Sequence, residues 1–496
     1  RSYSVTGVQT CALPILYSVL LNSVRNYTAP LNMFSFKNFN IRFSLQLALF
    51  GVLIILSVIF YKERLLADSG YYLLRMINQG WPRVEHHRYI LALSQFLPWL
   101  GATAGLPLKA ILILYSLNHV LFPLSVFLIL TIHYKKHFHG YLLVFLQISG
   151  ITTGFYVPMF EMYYAAPLLL LLDAALNSES GYGRWIVILF SSFFILSSHP
   201  VSVILLFAIL VSKYLNDKKI IWPEYLVLFL IFATITLFKT IQPSEYEAGK
   251  TSAILQGFSD GKYTIDWFWN RLVFMSNLQF ASILLIFISL IVFVIKRQWL
   301  NFTMTIIFTA GISFLAALNT GQTEYSRYNE QVWFPLSILA MILLPGLFAQ
   351  NYTEKYQTRA IAVFMVFFVF RAGSIINEGI LYSDRTANLE QIISELRKRE
   401  GQFFVVSDSV ASPSGIPGAN WSYPVESMLL SAISGPEKAI SICTTEDFYY
   451  NKVNEQLNGS NYLFRRFEVE PLNSVNQKYF KLKAGNYIFI DESLSY

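Results

Sequence analysis

The chain is poor in charge. Asp, Glu, Lys and Arg supply 14% of its 496 residues, against roughly 25% in a soluble globular protein. A surface that faces water on all sides needs more, so the deficit excludes a wholly soluble fold. Cysteine is nearly missing: Cys11 and Cys443 are the only two. They form no CxxC pair and no metal-ligand spacing, which excludes a disulfide scaffold and a zinc ribbon. No cluster of Lys and Arg interleaved with aromatics occurs. The net charge of +7 is therefore not a nucleic-acid footprint. The stretch Ser412–Gly418 lacks the GK[ST] ending of a phosphate-binding loop. No internal repeat or low-complexity linker is visible.

Apolar length is what the chain has in excess. Hydrophobic residues make up 54%, and the mean hydropathy is +0.47. Apolar runs lie near 43–61, 110–132, 140–157, 162–176, 185–198, 200–213, 221–240, 276–295, 300–318, 332–349 and 360–376. They approach the roughly 20 residues that cross a bilayer as a helix, and the shorter ones imply tilted or broken helices. A further run, 89–105, carries Pro98 and Trp99. With it left outside and the N-terminus cytoplasmic, the inner loops gather Lys135, Lys136, Arg184, Lys213, Lys296 and Arg297 among twelve cations, against Glu179, Asp217 and Glu354. Letting that run cross inverts every later loop and breaks the positive-inside rule.

The expected fold is an α-helical polytopic membrane protein of about 11 spans over 33–376, followed by a small soluble α/β domain over 377–496 on the outer side. Residues 1–32 are expected to be a non-native leader, because Val5–Ile15 resembles the in-frame translation of a short-read sequencing adapter and Met33 opens a basic lead into the first run. Two outer loops stand out. Loop 62–109 carries an amphipathic stripe of Leu65, Leu66, Leu73, Met76 and Ile77. Loop 241–275 is rich in aromatics and Gly. Beyond 376, Leu389, Ile392, Ile393 and Leu396 predict an amphipathic helix. Strands are predicted at Phe403–Ser407, Ala439–Cys443, Tyr462–Phe467 and Tyr487–Ile490, with a helix over Val425–Ile433.

The polar residues of the outer face are the candidates for chemistry. Asp68, in Ala67-Asp-Ser-Gly-Tyr-Tyr72, suits a general base or a cation ligand, and helical spacing puts Tyr72 and Arg75 on its face. The plainer alternative is an N-cap. Glu161 sits where apolar helices meet the outer face, an expensive place for an ionisable group; it could equally be a carboxylate facing water. His199, in Ser197-Ser-His-Pro200, sits at the apex of a tight hairpin, where it either serves a phosphate or an acid role or simply bonds the turn. His86, His87 and Arg88 form one cationic cluster, and Arg327 with Tyr325 and Tyr328 another. Arginine suits bidentate phosphate recognition, while interfacial anchoring explains the same residues without chemistry. Adjacent histidines point apart on a helix, so His86 and His87 make a poor zinc pair.

The single-sided placement of Asp68, Glu161, His199 and the arginines resembles the GT-C superfamily of integral-membrane glycosyltransferases. Asp68 stands in the place of that family's first-loop acidic motif and Glu161 in the place of its second acidic position. Members with paired first-loop acids differ from this chain, which has Asp68 alone, so a need for Mg or Mn stays open. The resemblance implies sugar transfer from a polyprenyl-phosphate donor to a glycan, lipid or protein acceptor at the outer face of a bacterial inner membrane, usually with inversion. Under it Asp68 and Glu161 are catalytic. His86, Arg88, His199 and Arg327 meet the donor phosphate. Tyr72, Tyr263, Trp267 and Trp269 stack on substrate, with Phe268 beside them.

Three rivals remain. An envelope polysaccharide polymerase or ligase would lean on outer arginines such as Arg327. A transporter would need midspan ionisable groups or matched broken helices, and midspan charge is nearly absent here. A non-catalytic envelope assembly protein would use the C-terminal domain to bind a partner.

Overall fold

Apolar runs become spans only where the helix is long enough. The computed structural model describes residues 41–178, 181–217, 221–319, 326–348, 354–411, 420–466 and 468–490, and it is 75% helical. Among the described residues, four helices combine the length and hydropathy needed to cross a membrane: Leu108–His133, Trp222–Ile241, Trp299–Asn319 and Ala362–Leu396. Five apolar helices are shorter: Phe43–Ile59, His137–Leu146, Tyr182–Leu196, Pro200–Leu215 and Phe280–Ile295. The eleven expected spans are thus not all present as full-length helices. The outward faces are nonetheless apolar: Phe229, Leu237, Val366 and Phe370 are each more than 60% exposed. Soluble monomers rarely expose large contiguous apolar patches.

The run at 140–157 departs most from expectation. It is helical only over His137–Leu146. The chain then turns through Gly150, at φ +64°, and a short 3-10 turn, Thr153–Tyr156. Irregular backbone is tolerated at membrane depth only where protein satisfies its polar groups. Two distant side chains do so. Arg371 donates to the carbonyls of Ile148 (3.0 Å) and Ile151 (2.9 Å). The buried Glu330 carboxylate accepts from the N–H groups of Thr152 (2.8 Å), Thr153 (3.2 Å) and Gly154 (2.6 Å).

At the centre lies the helix Glu161–Leu176, buried on nearly every side as expected for a helix apolar all round. It packs on Leu108–Leu128, His137–Leu146, Tyr182–Leu196 and Pro200–Asp217. Its two ends are unlike. Glu161 opens it. At the far end Arg184 donates to Ala175 O and Lys213 to Leu176 O, both at 2.8 Å, so cations meet the negative end of the helix dipole. Sixteen residues separate these ends by about 24 Å.

The first loop, 62–109, forms no single helix long enough to cross a membrane. Its run 89–105 folds as the short helices Leu91–Ser94 and Phe96–Thr103, and eight helical residues reach only about 12 Å. The helix Asp68–Gln79 follows the 3-10 turn Glu63–Leu65. Its stripe of Leu73, Met76 and Ile77, with Leu65 and Leu66, is buried within the protein and so is not a membrane-facing surface. Loop 241–275 is also not a loop. It forms the helices Glu245–Ser259 and Ile265–Leu278, and the polar 319–331 segment ends in the helix Ser326–Trp333.

Past the membrane-type helices the chain builds a small α/β lobe. Its lead-in is one helix, Glu354–Leu396, that runs straight through position 376. Strands β1 (Phe403–Val406), β2 (Ser441–Thr444) and β5 (Ile488–Phe489) form a parallel sheet ordered β2-β1-β5. β1 and β2 are buried along their whole length, as parallel strands covered on both faces are. The helix Tyr423–Ser431 lies between β1 and β2 in the chain and packs on β2. β3 (Asn461–Arg465) and β4 (Glu468–Pro471) make an antiparallel hairpin. The sequence of β4, Glu-Val-Glu-Pro, is too polar to mark a strand by its pattern.

This lobe clamps the first loop. Arg75 pairs with Glu468 and, at 2.6 Å, with Glu470, and its guanidinium lies 4.2 Å from the centre of the Phe464 ring. Asn476 donates to Ile77 O at 2.9 Å. At Gly70, between the turn before it and the lobe, an added Cβ would sit 2.3 Å from Leu65 O and 3.2 Å from Val425 Cγ1. Backbone cannot yield there. Gly70→Val is expected to destabilise the protein by about 1–3 kcal/mol, the scale of overpacking, and to speed proteolysis of the lobe; a thermal melt in detergent micelles reads it.

Candidate functional site

Asp68 owes its position to its predecessor. Ala67 holds φ +57°, ψ −128°, a left-handed conformation that a residue with a Cβ adopts only under constraint. Its N–H donates to Glu426 Oε1 at 3.3 Å, so the C-terminal lobe helps to fix it. Ala67 is the N-cap and Asp68 the first helical residue, which corrects the N-cap reading of Asp68. From Glu63 to Ile77 every residue is buried except Asp68. A carboxylate that keeps access while its neighbours lose it is placed to meet a ligand. Its Oδ2 accepts a 2.5 Å hydrogen bond from the Tyr328 hydroxyl, short as charge-assisted O–H···O bonds are.

Glu161 is buried and fully engaged. Oε1 accepts from Arg88 Nη1 and Oε2 from Gln331 Nε2, each at 2.6 Å. Tyr328 and Gln331 are three residues apart on one helix, so they share a face. One face of Ser326–Trp333 therefore grips both carboxylates. Tyr72 lies between them. Burial, then the charges of Glu85, Glu161 and Asp68, keep its phenol far above the usual range and protonated. Its hydroxyl donates to Glu85 Oε2 at 3.2 Å, and Tyr71 donates to Glu85 Oε1 at 2.5 Å. Tyr72 is thus an interior side chain with its hydroxyl committed; its ring is not an open stacking surface.

The cationic cluster is tied to the helix Glu245–Ser259. His86 and His87 both hold left-handed backbone, φ +54° and +56°, which turns the chain sharply before Arg88. His86 Nδ1 shares a 2.7 Å hydrogen bond with Ser244 Oγ, and its ring stacks on Tyr246 at 4.4 Å. His87 Nε2 donates to Gln242 O at 2.8 Å. Arg88 reaches Glu161 on one side and Glu247 on the other, at 3.2 Å. Burial alone would pull its pKa down; the two carboxylates raise it instead. Arg88 therefore already has two counter-ions.

His199 is half-buried within electrostatic reach of Arg88, Glu161, Lys250 and Glu247. Its Nδ1 accepts from the Val201 N–H at 3.3 Å, which leaves the proton on Nε2. Burial, then Arg88, lower its pKa to about 4. The imidazole is neutral at pH 7 and can donate one hydrogen bond without charge. An unfolded histidine titrates near 6.5, so unfolding takes up a proton between pH 4 and 6.5. Stability is complete above that window and falls as the pH drops through it, by on the order of 2–3 kcal/mol. The variant His199→Gln is expected to flatten that slope in a pH series of thermal melts.

The aromatic group divides. Tyr263 packs edge-on against Phe258 (4.7 Å) and Trp267 (4.8 Å). Trp269 is 64% exposed. Two residues of helix turn the side chain by about 200°, so Trp267 and Trp269 do not form one platform. Arg327 and Tyr325 lie outside the described side chains, as do residues 1–32, expected from the sequence to be a leader, and Ser412–Gly418. Among the described residues no three His, Cys, Asp or Glu side chains gather as a metal site. The site's own acids fit a divalent cation poorly: Glu161 has both oxygens taken by N–H donors, and a phenol occupies one of Asp68's.

No family model, curated protein or solved structure matches this chain. Its site is therefore read from geometry alone. Asp68, Glu161, Tyr72, Arg88 and His199 come together. Glu85, Glu247 and Gln331 join them without having been singled out from the sequence. The available signal was the three-residue spacing of Tyr328 and Gln331 in a polar stretch flanked by apolar runs. The cluster can accept a proton from a bound hydroxyl at Asp68, fix that carboxylate through Tyr328, and offer neutral or paired hydrogen-bond donors beside it.

Proposed function

We propose that this protein is a GT-C-like membrane glycosyltransferase that moves a sugar from a polyprenyl-phosphate donor to an envelope acceptor. What carries the reading is the pairing of an accessible carboxylate, Asp68, with a buried one, Glu161, both held by the same helix face. In this scheme Asp68 takes the acceptor's proton as its oxygen attacks the sugar carbon and the bond to the donor phosphate breaks. Glu161 holds Arg88 in place, and the His199 Nε2–H donates to substrate.

The proposed setting is a bacterial inner membrane crossed about 11 times, counting short and broken helices, with the N-terminus cytoplasmic and the C-terminal lobe periplasmic. The arrangement of the central helix supports this sidedness: its cations, Arg184 and Lys213, sit at the end away from Glu161, as the positive-inside rule requires. The test uses the full chain in nanodiscs with a panel of polyprenyl-phosphate sugars and a membrane lipid extract as acceptor. Release of polyprenyl phosphate is expected with at least one donor. Failure with every donor would overturn the reading, as would reporter fusions that place residues 68 and 199 on opposite sides.

A further inference from the structure

Arg64 is fully buried, and no carboxylate is buried against it. It stands on the 3-10 turn Glu63–Leu65, between the helix Ile41–Ile59 and the helix that Asp68 opens. One terminal nitrogen is well used: Nη1 donates to Ser57 Oγ at 2.6 Å, to Ser116 O at 3.0 Å and to Ser116 Oγ at 3.2 Å. The guanidinium carbon lies 4.3 Å from the centre of the Phe155 ring. Nε and Nη2 have no partner among the described residues, and together they carry three of the side chain's five N–H donors. The groups that act on the charge are the phenols of Tyr164, Tyr156 and Tyr115, which are neutral at pH 7. The adjacent Glu63 is engaged elsewhere: its Oε1 accepts from Ser383, and the charges acting on it are Lys62 and Glu390. Burial pulls the Arg64 pKa down to about 10, which leaves the side chain charged at pH 7.

Two more donors stand unspent beside it. Tyr115 precedes Ser116 on the helix Leu108–Leu128, and the Arg64 charge acts on its hydroxyl. The Ser69 hydroxyl faces that of Tyr115, yet neither oxygen closes a hydrogen bond with any described residue. Both side chains are fully buried. Buried polar groups are nearly always satisfied, and those that are not call for a water or an ion. An unpaired buried charge is destabilising until an opposite charge joins it. Here a guanidinium edge and two hydroxyls, all able to donate, surround a surplus positive charge. A water would meet the donors but not the charge, whereas an anion meets both. Full burial of Arg64, Ser69 and Tyr115 restricts that anion to one that is small and carries no tail.

We propose that this protein holds one halide ion, chloride under cellular conditions, between the free edge of Arg64 and the hydroxyls of Ser69 and Tyr115. The ion neutralises Arg64 and ties the turn before Ala67 to the helix Leu108–Leu128. It is a structural ion and not a substrate, so its binding is measured without turnover and stands apart from sugar transfer.

The full chain in dodecyl maltoside micelles is dialysed to equilibrium against radiolabelled chloride in a constant background of sodium gluconate, which screens exposed cations. Uptake is expected to saturate at one ion per chain, with bromide displacing it and inorganic phosphate not. Tyr115→Phe and Ser69→Ala each remove one oxygen that makes no hydrogen bond within the protein, so both should fold. Each should weaken chloride binding by about tenfold, the scale of one hydrogen bond to a charged group. Arg64→Met should abolish it. Near-UV circular dichroism identical to wild type confirms the fold of each variant, and the two hydroxyl variants decide the matter if Arg64→Met does not fold. Absence of saturable uptake would mean an ordered water only and would overturn the ion. Wild-type affinity in both Tyr115→Phe and Ser69→Ala would overturn the site, and displacement by phosphate as readily as by bromide would overturn the choice of a halide.

Discussion

Asp68→Asn is expected to lower sugar transfer by about 10²–10⁴-fold, the range for losing a general base, while leaving the fold intact. The amide has the carboxylate's shape, and its oxygen can still accept from the Tyr328 hydroxyl that now lies 2.5 Å from Asp68 Oδ2. It cannot take a proton. Stability should therefore change by no more than about 1 kcal/mol, as for substitutions that keep packing and partners. The same contact gives a finer result. Tyr328→Phe removes a hydrogen bond to the charged form of Asp68 and so raises its pKa. The acidic limb of the pH–rate profile should move to higher pH, with a smaller loss at the plateau. Unchanged turnover in Asp68→Asn would end its role as base.

The largest effect on stability is expected where the lobe meets the membrane-type helices. Glu426 is buried and accepts from the Arg385 guanidinium at 2.5 and 3.3 Å, from Ser422, and from the Ala67 N–H. Truncation to Ala leaves the Arg385 charge buried with no carboxylate. Breaking such a pair costs about 3–5 kcal/mol, whereas replacing both partners by apolar residues is often neutral. Glu426→Ala should lower the unfolding midpoint sharply in detergent, and Glu426→Leu with Arg385→Met should recover most of it. Because Ala67 precedes Asp68, Glu426→Ala should also reduce transfer beyond what the lost stability explains. The double variant separates the two effects, since it restores packing but not the acceptor for the Ala67 N–H.

Secondary structure in the C-terminal lobe was largely legible. The stretch Phe403–Ser407 and the residues Leu389, Ile392, Ile393 and Leu396 carry unbroken apolar or 3.6-residue patterns, and the structure places β1 and the end of a helix there. The span at 140–157 was not legible. Its composition is apolar throughout, but what interrupts its helix is Arg371 and Glu330, more than 170 residues away. Periodicity reports on neighbours along one element and is blind to such partners. The same limit applies to the site. Asp68 and Glu161 stood out because ionisable groups are rare near apolar helices, whereas Gln331 is an ordinary polar residue until the fold brings it to Glu161. Arg88 looked like a free cation for phosphate. Glu247, 159 residues away, is what neutralises it jointly with Glu161.

The helix Glu354–Leu396 is 43 residues long, or about 65 Å, and has no joint. Arg371 on it supports the broken segment before Glu161, and Arg385, fourteen residues on, holds Glu426 and through it Ala67. Mechanically this is a lever fixed at two points. A tilt imposed on the lobe by an envelope component would be felt at the backbone leading to each of the site's two carboxylates. For the bench, severing the chain at position 376 would cut the lever between its fixings, so lobe and helical body should be produced as one piece.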